Sequence, residues 1–235
     1  MLIMLIVAMA TPGAGLAVGH VRARRELSRT RAELADTRRL VERDPLTGLP
    51  NRVGAQRQHR RQTAAGRPAA LVLLDLDDFT SVNDTWGHAT GDALLAAVAT
   101  RLLAACTPIS AEASRLAGDE FLLLIPHPPT DPAGDGVLAH ANAILAALST
   151  PLDLHLDHGG ADHGTGAGTA GTTTPRASAG IALSQAGNTW TDQLRRADIA
   201  LYHAKAEPGR AMLHTHGMHH PSSARQKSGV PTRPR

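Results

Sequence analysis

The run Arg115-Leu116-Ala117-Gly118-Asp119-Glu120-Phe121-Leu122-Leu123-Leu124-Ile125 constrains this 235-residue chain more than any other stretch. It reads as strand, tight turn and strand. Gly118 is the turn former, and the apolar run behind it is of the kind that fills a buried strand. Asp119 and Glu120 stand at the tip. Two adjacent acids beside a buried sheet are costly unless a cation or a donor-rich ligand meets them. A lone GDE triplet is more simply the solvated tip of a hairpin, but this one has a counterpart upstream. Leu71-Val72-Leu73-Leu74-Asp75-Leu76-Asp77-Asp78-Phe79 is a second apolar strand that ends in carboxylates. If the two strands pair, Asp75 and Asp119 meet at one end of a sheet. That makes an oxygen-rich site for a hard divalent cation, Mg2+ above all, holding substrate phosphates.

With Ala117 in place of the first Gly, the turn resembles the signature of the GGDEF family, the diguanylate cyclases. Further blocks match in order. Asp44-Pro45-Leu46-Thr47-Gly48-Leu49-Pro50-Asn51-Arg52 resembles the family's opening DxLTGLxNR. Leu74 to Asp92, with Asn83-Asp84, Gly87-His88 and Gly91-Asp92, resembles its DxDxFKxxND…GHxxGD block. Ser178-Ala179-Gly180-Ile181-Ala182 resembles its SxGxA strand, and Ala197 to Lys205 its closing ADxALYxAK helix. Five blocks in the right order, over about residues 44 to 214, are specific as a set although each is weak alone.

Order of elements leads to the same architecture independently. Strand, helices, hairpin, helix, strands and helix describe an α+β sandwich with a mostly antiparallel sheet. The resemblance implies a nucleotidyl-cyclase-like βααββαβ core with helices around the sheet. It implies the condensation of two GTP into cyclic di-GMP with release of pyrophosphate, in a homodimer with one GTP on each protomer. Asp75 and Asp119 would then hold Mg2+ (or Mn2+) with the Leu76 carbonyl, and Asp119 would also stand at the general-base position. Glu120 would bear on a second metal or on the nucleotide. Asn83 and Asp92 fit guanine, because a carboxylate accepts from its N1–H and N2–H2 and adenine lacks those donors. Phe79 and His88 would complete that pocket, and Lys205 and Arg210 would reach the phosphates. Asp77 and Asp78 carry no assigned role, and one of them reads more simply as a solvated strand-end charge.

Several positions depart from the family pattern. Thr80 stands where the family has a lysine after the DxDxF phenylalanine, which removes a cation from the phosphate site. Ala117 costs on the order of 1–2 kcal/mol if its position needs a positive φ, and little if it does not. One extra residue separates Lys205 from Arg210, and Ala211 replaces an asparagine. The RxxD product-inhibition motif is replaced by Pro108-Ile109-Ser110-Ala111. A non-catalytic module that binds GTP and regulates a partner is therefore the alternative reading.

The ends of the chain differ in composition from its middle. Leu2 to Gly19 carries no charge and is followed by Arg22, Arg24 and Arg25. About 20 apolar residues span a bilayer, and flanking arginines hold their side in the cytoplasm. Residues 1–20 are expected to be a transmembrane signal-anchor, with a cleaved signal peptide as the rival. The basic ends carry no nucleic-acid motif, so a membrane surface is the expected partner of the first cluster and no nucleic acid is expected. Over residues 21–43, Leu27, Leu34 and Val41 recur every seven positions, a thin coiled-coil seam or else a solvated linker helix. Residues 44–214 form the expected GGDEF domain, and 215–235 a disordered basic tail. Gly159 to Thr174, rich in Gly, Thr and Ala, reads as a low-complexity, disordered hairpin loop after a strand at Leu152 to Leu156, and the histidines at 214, 216, 219 and 220 as coincidence rather than a metal site. One cysteine, Cys106, excludes an internal disulfide, and aromatics at 2% leave the core to Ala, Leu and Val.

Overall fold

The computed structural model describes residues 24–30, 41–156, 169–185 and 187–220. Residues 24–30 are helical and Leu27 is 51% exposed there. The expected membrane span, Leu34 of the heptad seam and residues 221–235 of the tail lie outside the described residues.

From Arg43 onward the chain forms one compact unit. Its five-stranded sheet has the order β2-β3-β1-β6-β7. The strands are β1 (Ala69–Leu76), β2 (Glu112–Ala117), β3 (Glu120–Pro126), β6 (Ala177–Ala182) and β7 (Ala211–Leu213). Pairing is antiparallel between β1 and β3, β1 and β6, and β2 and β3, and parallel only between β6 and β7. Around the sheet lie α1 (Arg52–Ala64), α2 (Phe79–Trp86), α3 (His88–Cys106), α4 (Asp135–Leu148) and α5 (Trp190–Ala204). A separate hairpin pairs β4 (Leu152–Leu156) with β5 (Thr169–Thr173). The expected α+β sandwich with a mostly antiparallel sheet is the observed one.

Strand β1 is an unbroken apolar run because both its faces are covered. Ala70, Val72, Leu74 and Leu76 face the larger core, with Leu94, Leu95, Val98 and Leu102 of α3 and Ile144 and Leu148 of α4. Ala69, Leu71 and Leu73 face a smaller core with Ala55 of α1 and Ala197 and Leu201 of α5. The side chains are aliphatic almost throughout, as the scarcity of aromatics requires; Phe121 is the one large aromatic among the fully buried residues.

Helix α5 lies against β6 at backbone distance, and Gly180 makes that approach possible. A Cβ on Gly180 would stand 2.0 Å from the Ala197 carbonyl oxygen and 2.2 Å from the Leu201 nitrogen. A buried polar bridge holds the other end of α5. Gln193 donates through Nε2 to the carbonyls of Ala69 (2.9 Å) and Ala182 (3.2 Å). Its Oε1 is thereby left to accept from His59 Nε2 at 2.8 Å, which fixes the histidine tautomer. His59 also meets the Trp190 ring edge-on at 5.3 Å. The helix starts on a capping box between Thr189 and Asp192.

Three segments differ from the sequence expectation. The polar run after Phe79 is helix α2, whose apolar residues Phe79, Val82 and Trp86 are only partly buried and are outnumbered by polar ones over eight residues. Thr169–Thr173, expected as part of a disordered loop, pairs with β4; the Gly/Thr composition hid a strand whose partner is supplied by Leu152–Leu156. Residues 215–220, assigned to the tail, pack back on α5, with the His220 ring 4.6 Å from that of Tyr202 and the His219 carbonyl 3.2 Å from His203 Nε2.

Gly180→Ala should destabilise the domain by about 1–3 kcal/mol, because the new methyl meets fixed backbone and not a movable side chain. Urea unfolding of the two proteins checks it, and an unchanged midpoint would contradict the close packing.

Candidate active site

Asp75 lies on the face of β1 that carries Leu71 and Leu73, and Glu120 on the face of β3 that carries Leu122 and Leu124. The antiparallel register puts Asp75 directly opposite Glu120. Two like charges in that position repel and destabilise a sheet. The turn adds a third acid. Leu76 N–H donates to the Asp119 carbonyl at 3.3 Å, so the hairpin tip is stitched to the end of β1. Burial raises the pKa of Asp75; the bond from Lys205 opposes this, and the nearby charge of Asp119 adds to it. Burial also raises that of Glu120, reinforced by Asp75 and countered by Arg52 at the start of α1. The counter-charge is Lys205, the C-cap of α5, whose ammonium forms an ion pair with Asp75. The lysine side chain remains 42% exposed.

Turn geometry resolves the question of Ala117. Gly118 has φ +49°, and Ala117 is not among the residues with positive φ. The left-handed demand falls on the second glycine position, which this chain keeps, so Ala117 is unstrained and exposed. Arg115 holds the turn from behind. Its Nε donates to the Gly118 carbonyl at 2.9 Å, and its Nη1 pairs with Asp44 at 2.9 Å. Burial alone would raise the Asp44 pKa, but hydrogen bonds from Thr47 and Arg115 outweigh it and hold the carboxyl low. The opening DPLTGLPNR block thus acts as a clamp on the hairpin, with Asn51 capping α1 through Val53 N and Gly54 N. Sequence reading missed Arg115 and Asp44; the signal was an arginine and an aspartate at the heads of the two most specific blocks.

A second group sits on α2 and α3. Only Asp77 and Asp78 separate β1 from α2. Asn83 lies across Gly91 so closely that a Cβ there would come within 1.9 Å of Asn83 Oδ1 and 3.2 Å of the Phe79 ring. His88 and Asp92, on the first turns of α3, are exposed, as is Thr80 at the start of α2. Thus Asn83, Phe79 and Gly91 come together, with Asp92 on the next residue. Arg210 is placed differently: its guanidinium pairs with Glu207, and both are about two-thirds exposed. Of the two acids after Leu76, Asp77 is the one drawn inward. It is half-buried, its Oδ1 accepts from Ser178 Oγ at 2.9 Å, and its Oδ2 is enclosed without a partner among the described residues. Asp78 is the exposed one, at φ +58°.

The donor set at Asp75, Leu76 and Asp119 is all oxygen, which suits Mg2+ or Mn2+ and not a thiolate- or imidazole-seeking metal. Among the described residues no three His, Cys, Asp or Glu side chains converge to hold a metal ion alone.

Clustered acids at a hairpin tip, a lysine facing them, and an amide over a glycine beside a free carboxylate suit an α+β domain that handles a nucleotide triphosphate. The family model for the diguanylate cyclase GGDEF domain matches residues 41–211, and the chain belongs to that family, whose signalling currency is cyclic di-GMP. It is 36% identical over 133 residues to diguanylate cyclase DgcN of Escherichia coli K12, covering 55% of this chain and 32% of that protein. It is 34% identical over 177 residues to cyclic di-GMP phosphodiesterase PdeR of the same organism, covering 74% of this chain and 24% of that one. The chain therefore spans a third or less of the length of these relatives. Among solved structures, diguanylate cyclase SiaD of Pseudomonas aeruginosa, in complex with its activator SiaC, superposes with a TM-score of 0.67 at 28% identity, over 90% of this chain and 76% of SiaD.

Glu120→Gln should raise the melting temperature of the metal-free protein at neutral pH, since it removes one charge from the opposed pair and leaves Lys205 on Asp75. Differential scanning calorimetry in chelator checks it. A lower melting temperature would mean that the Glu120 charge is satisfied in the free protein.

Proposed function

We propose that this chain is a diguanylate cyclase that joins two GTP into cyclic di-GMP and releases pyrophosphate. The observation that carries the reading is the placing of Asp75 opposite Glu120 and beside the Asp119 turn at one sheet end, with Lys205 ion-paired to Asp75. Acids held this way attract a cation-loaded triphosphate, and Lys205 is poised to transfer its charge to the phosphates. Asp75, Asp119 and the Leu76 carbonyl would hold Mg2+, with Mn2+ as a substitute, and a bound ion would supply neutralisation of the triphosphate and a lower pKa for the attacking hydroxyl. Asp119 accepts the 3′-hydroxyl proton. Asp92 and Asn83 read the guanine edge, beside Phe79 and His88. Arg210 reaches the phosphates by leaving Glu207. Each protomer carries one GTP, so the reacting pair forms only across a homodimer.

The uncharged stretch Leu2–Gly19 and the arginines after it support a single-pass anchor at residues 1–20, a connecting helix over 21–43 and a catalytic domain over 44–214 in the cytoplasm. Helix α3 is also apolar and long enough to cross a membrane by composition, but Leu94, Leu95, Val98 and Leu102 commit its apolar side to the core.

A second reading is favoured by one residue. Thr80 offers a neutral, exposed hydroxyl where the family carries an ammonium. A GTP-binding module that regulates a partner needs no such cation. Ala117 no longer weighs for this reading, because its backbone is unstrained.

Full-length protein incubated with GTP and Mg2+ should form cyclic di-GMP, read by chromatography. Losing one preorganised donor costs about 100- to 1000-fold in turnover, so Thr80→Lys should raise kcat at least about tenfold while KM changes less. The product should not inhibit non-competitively, because Pro108 and Ala111 replace the RxxD charges. If both proteins are inert while GTP still binds, the regulatory reading replaces the catalytic one.

A further inference from the structure

A cavity of about 380 Å3 lies between the first half of α5, the loop before it and the segment that follows β7. Its walls carry Arg195, Arg196, His214, His216 and His219, and no carboxylate. The volume is within the range of about 300–1,000 Å3 usual for small-molecule sites. The cationic groups can be reached, since Arg195, His216 and His219 are exposed. They are also uncompensated. Arg195 makes no hydrogen bond or ion pair among the described residues. Arg196 is held by neutral oxygens, donating through Nη1 to Gln185 Oε1 at 2.6 Å and through Nη2 to Asn188 Oδ1 at 2.7 Å. A guanidinium has about five N–H donors, so these bonds aim the group and leave others unspent. Burial lowers the pKa of His214, and the charges of Arg196, Arg195 and His216 lower it further.

The acids of α5 are engaged elsewhere. Asp192 feels both arginines, but its Oδ2 takes the N–H and the hydroxyl of Thr189 in the capping box. The charge of Asp198 acts on Glu120. Residues 221–235 add Arg225, Lys227, Arg233 and Arg235 and no acidic side chain. A metal ion does not suit histidines gathered beside two arginines. Like charge repels it, and among the described residues no three His, Cys, Asp or Glu side chains converge to hold one. What the walls lack is negative charge. We infer that this cavity binds a soluble organic phosphomonoester, whose phosphate is met by Arg195, Arg196, His214 and His216. Arginine presents paired N–H donors to phosphate oxygens, and a group of nearly two negative charges draws on several cations at once. Ile199, 7% exposed, and the partly buried Met218 line the same recess and give the organic body an apolar wall. Lys205, at the opposite end of α5, is paired with Asp75, so this site is separate from the acid cluster.

Titration of the full-length protein with ribose 5-phosphate and with ribose, in chelator and followed by amide and imidazole chemical shifts, tests the assignment. Ribose 5-phosphate should give saturable shifts at Arg195, His214 and Met218, and ribose none. Saturation should raise the His214 pKa, because an anion favours the charged imidazole. Arg195→Gln should weaken binding at least about threefold, the size expected of one exposed charge pair. The amide spectrum of Arg195→Gln shows directly that the variant is folded. Phosphatidylcholine vesicles containing phosphatidic acid present the same phosphate chemistry on a lipid, and they should not displace ribose 5-phosphate. No saturable binding at millimolar ribose 5-phosphate overturns the inference. So do equal binding of ribose, binding that Arg195→Gln leaves unchanged, or a His214 pKa that saturation does not move. Displacement by the vesicles, shifts confined to Asp75, Asp119 and Lys205, or Zn2+ shifting the histidines where the phosphate does not, would overturn it equally.

Discussion

The opposition of Asp75 and Glu120 across the β1–β3 ladder is the constraint around which this domain is arranged. A sheet strand buried on both faces has no use for paired carboxylates at its end. They are tolerated because Lys205 stands over Asp75 and because the strand ends there, leaving the cluster half open to water. In the proposed function, what destabilises the free protein is what a cation-bearing polyphosphate would relieve. The site thus resembles other functional sites in which local cost is offset by the ligand.

The position of Lys205 depends on how α5 is seated, and that depends on two features far from the acids. Gly180 lets the helix backbone touch β6. Gln193 ties the helix start to the strand carbonyls at Ala69 and Ala182, and to His59 of α1. One end is thus fixed by a polar bridge and the middle by contact, so the last turn is carried to Asp75. From the opposite side, Asp44 and Arg115 fix the carbonyl of Gly118, and with it the direction in which Asp119 leaves the turn. Placement of a few atoms at the acid cluster rests on backbone contacts spread over most of the domain.

Much of this was legible in the sequence. The two apolar runs that end in acids showed the strand pair, and the five ordered blocks showed the family. The pairing of Asp75 with the GDE turn followed from the two runs, whereas Lys205 entered only through the resemblance and its ion pair with Asp75 was not foreseen. What stayed hidden has physical reasons. Helix α2 buries only an edge, so its eight residues look merely polar. Strand β5 is Gly/Thr-rich and becomes a strand only through β4. Whether Ala117 is strained depends on which of two adjacent residues takes the positive φ, and residue type alone does not say. Which of Asp77 and Asp78 is the solvated end charge was open in the sequence; Ser178 from the neighbouring strand draws Asp77 inward and leaves Asp78 exposed. In each case the missing information is a tertiary partner distant in sequence.

Calorimetric binding of a non-hydrolysable GTP analogue, with and without Mg2+, tests most directly whether the acid cluster is a seat for a cation-loaded triphosphate. The wild-type protein should bind the analogue with Mg2+ far more tightly than in chelator, and Asp119→Asn should erase most of that difference. Binding that is equally tight without the metal, or a metal dependence that survives Asp119→Asn, would contradict the account.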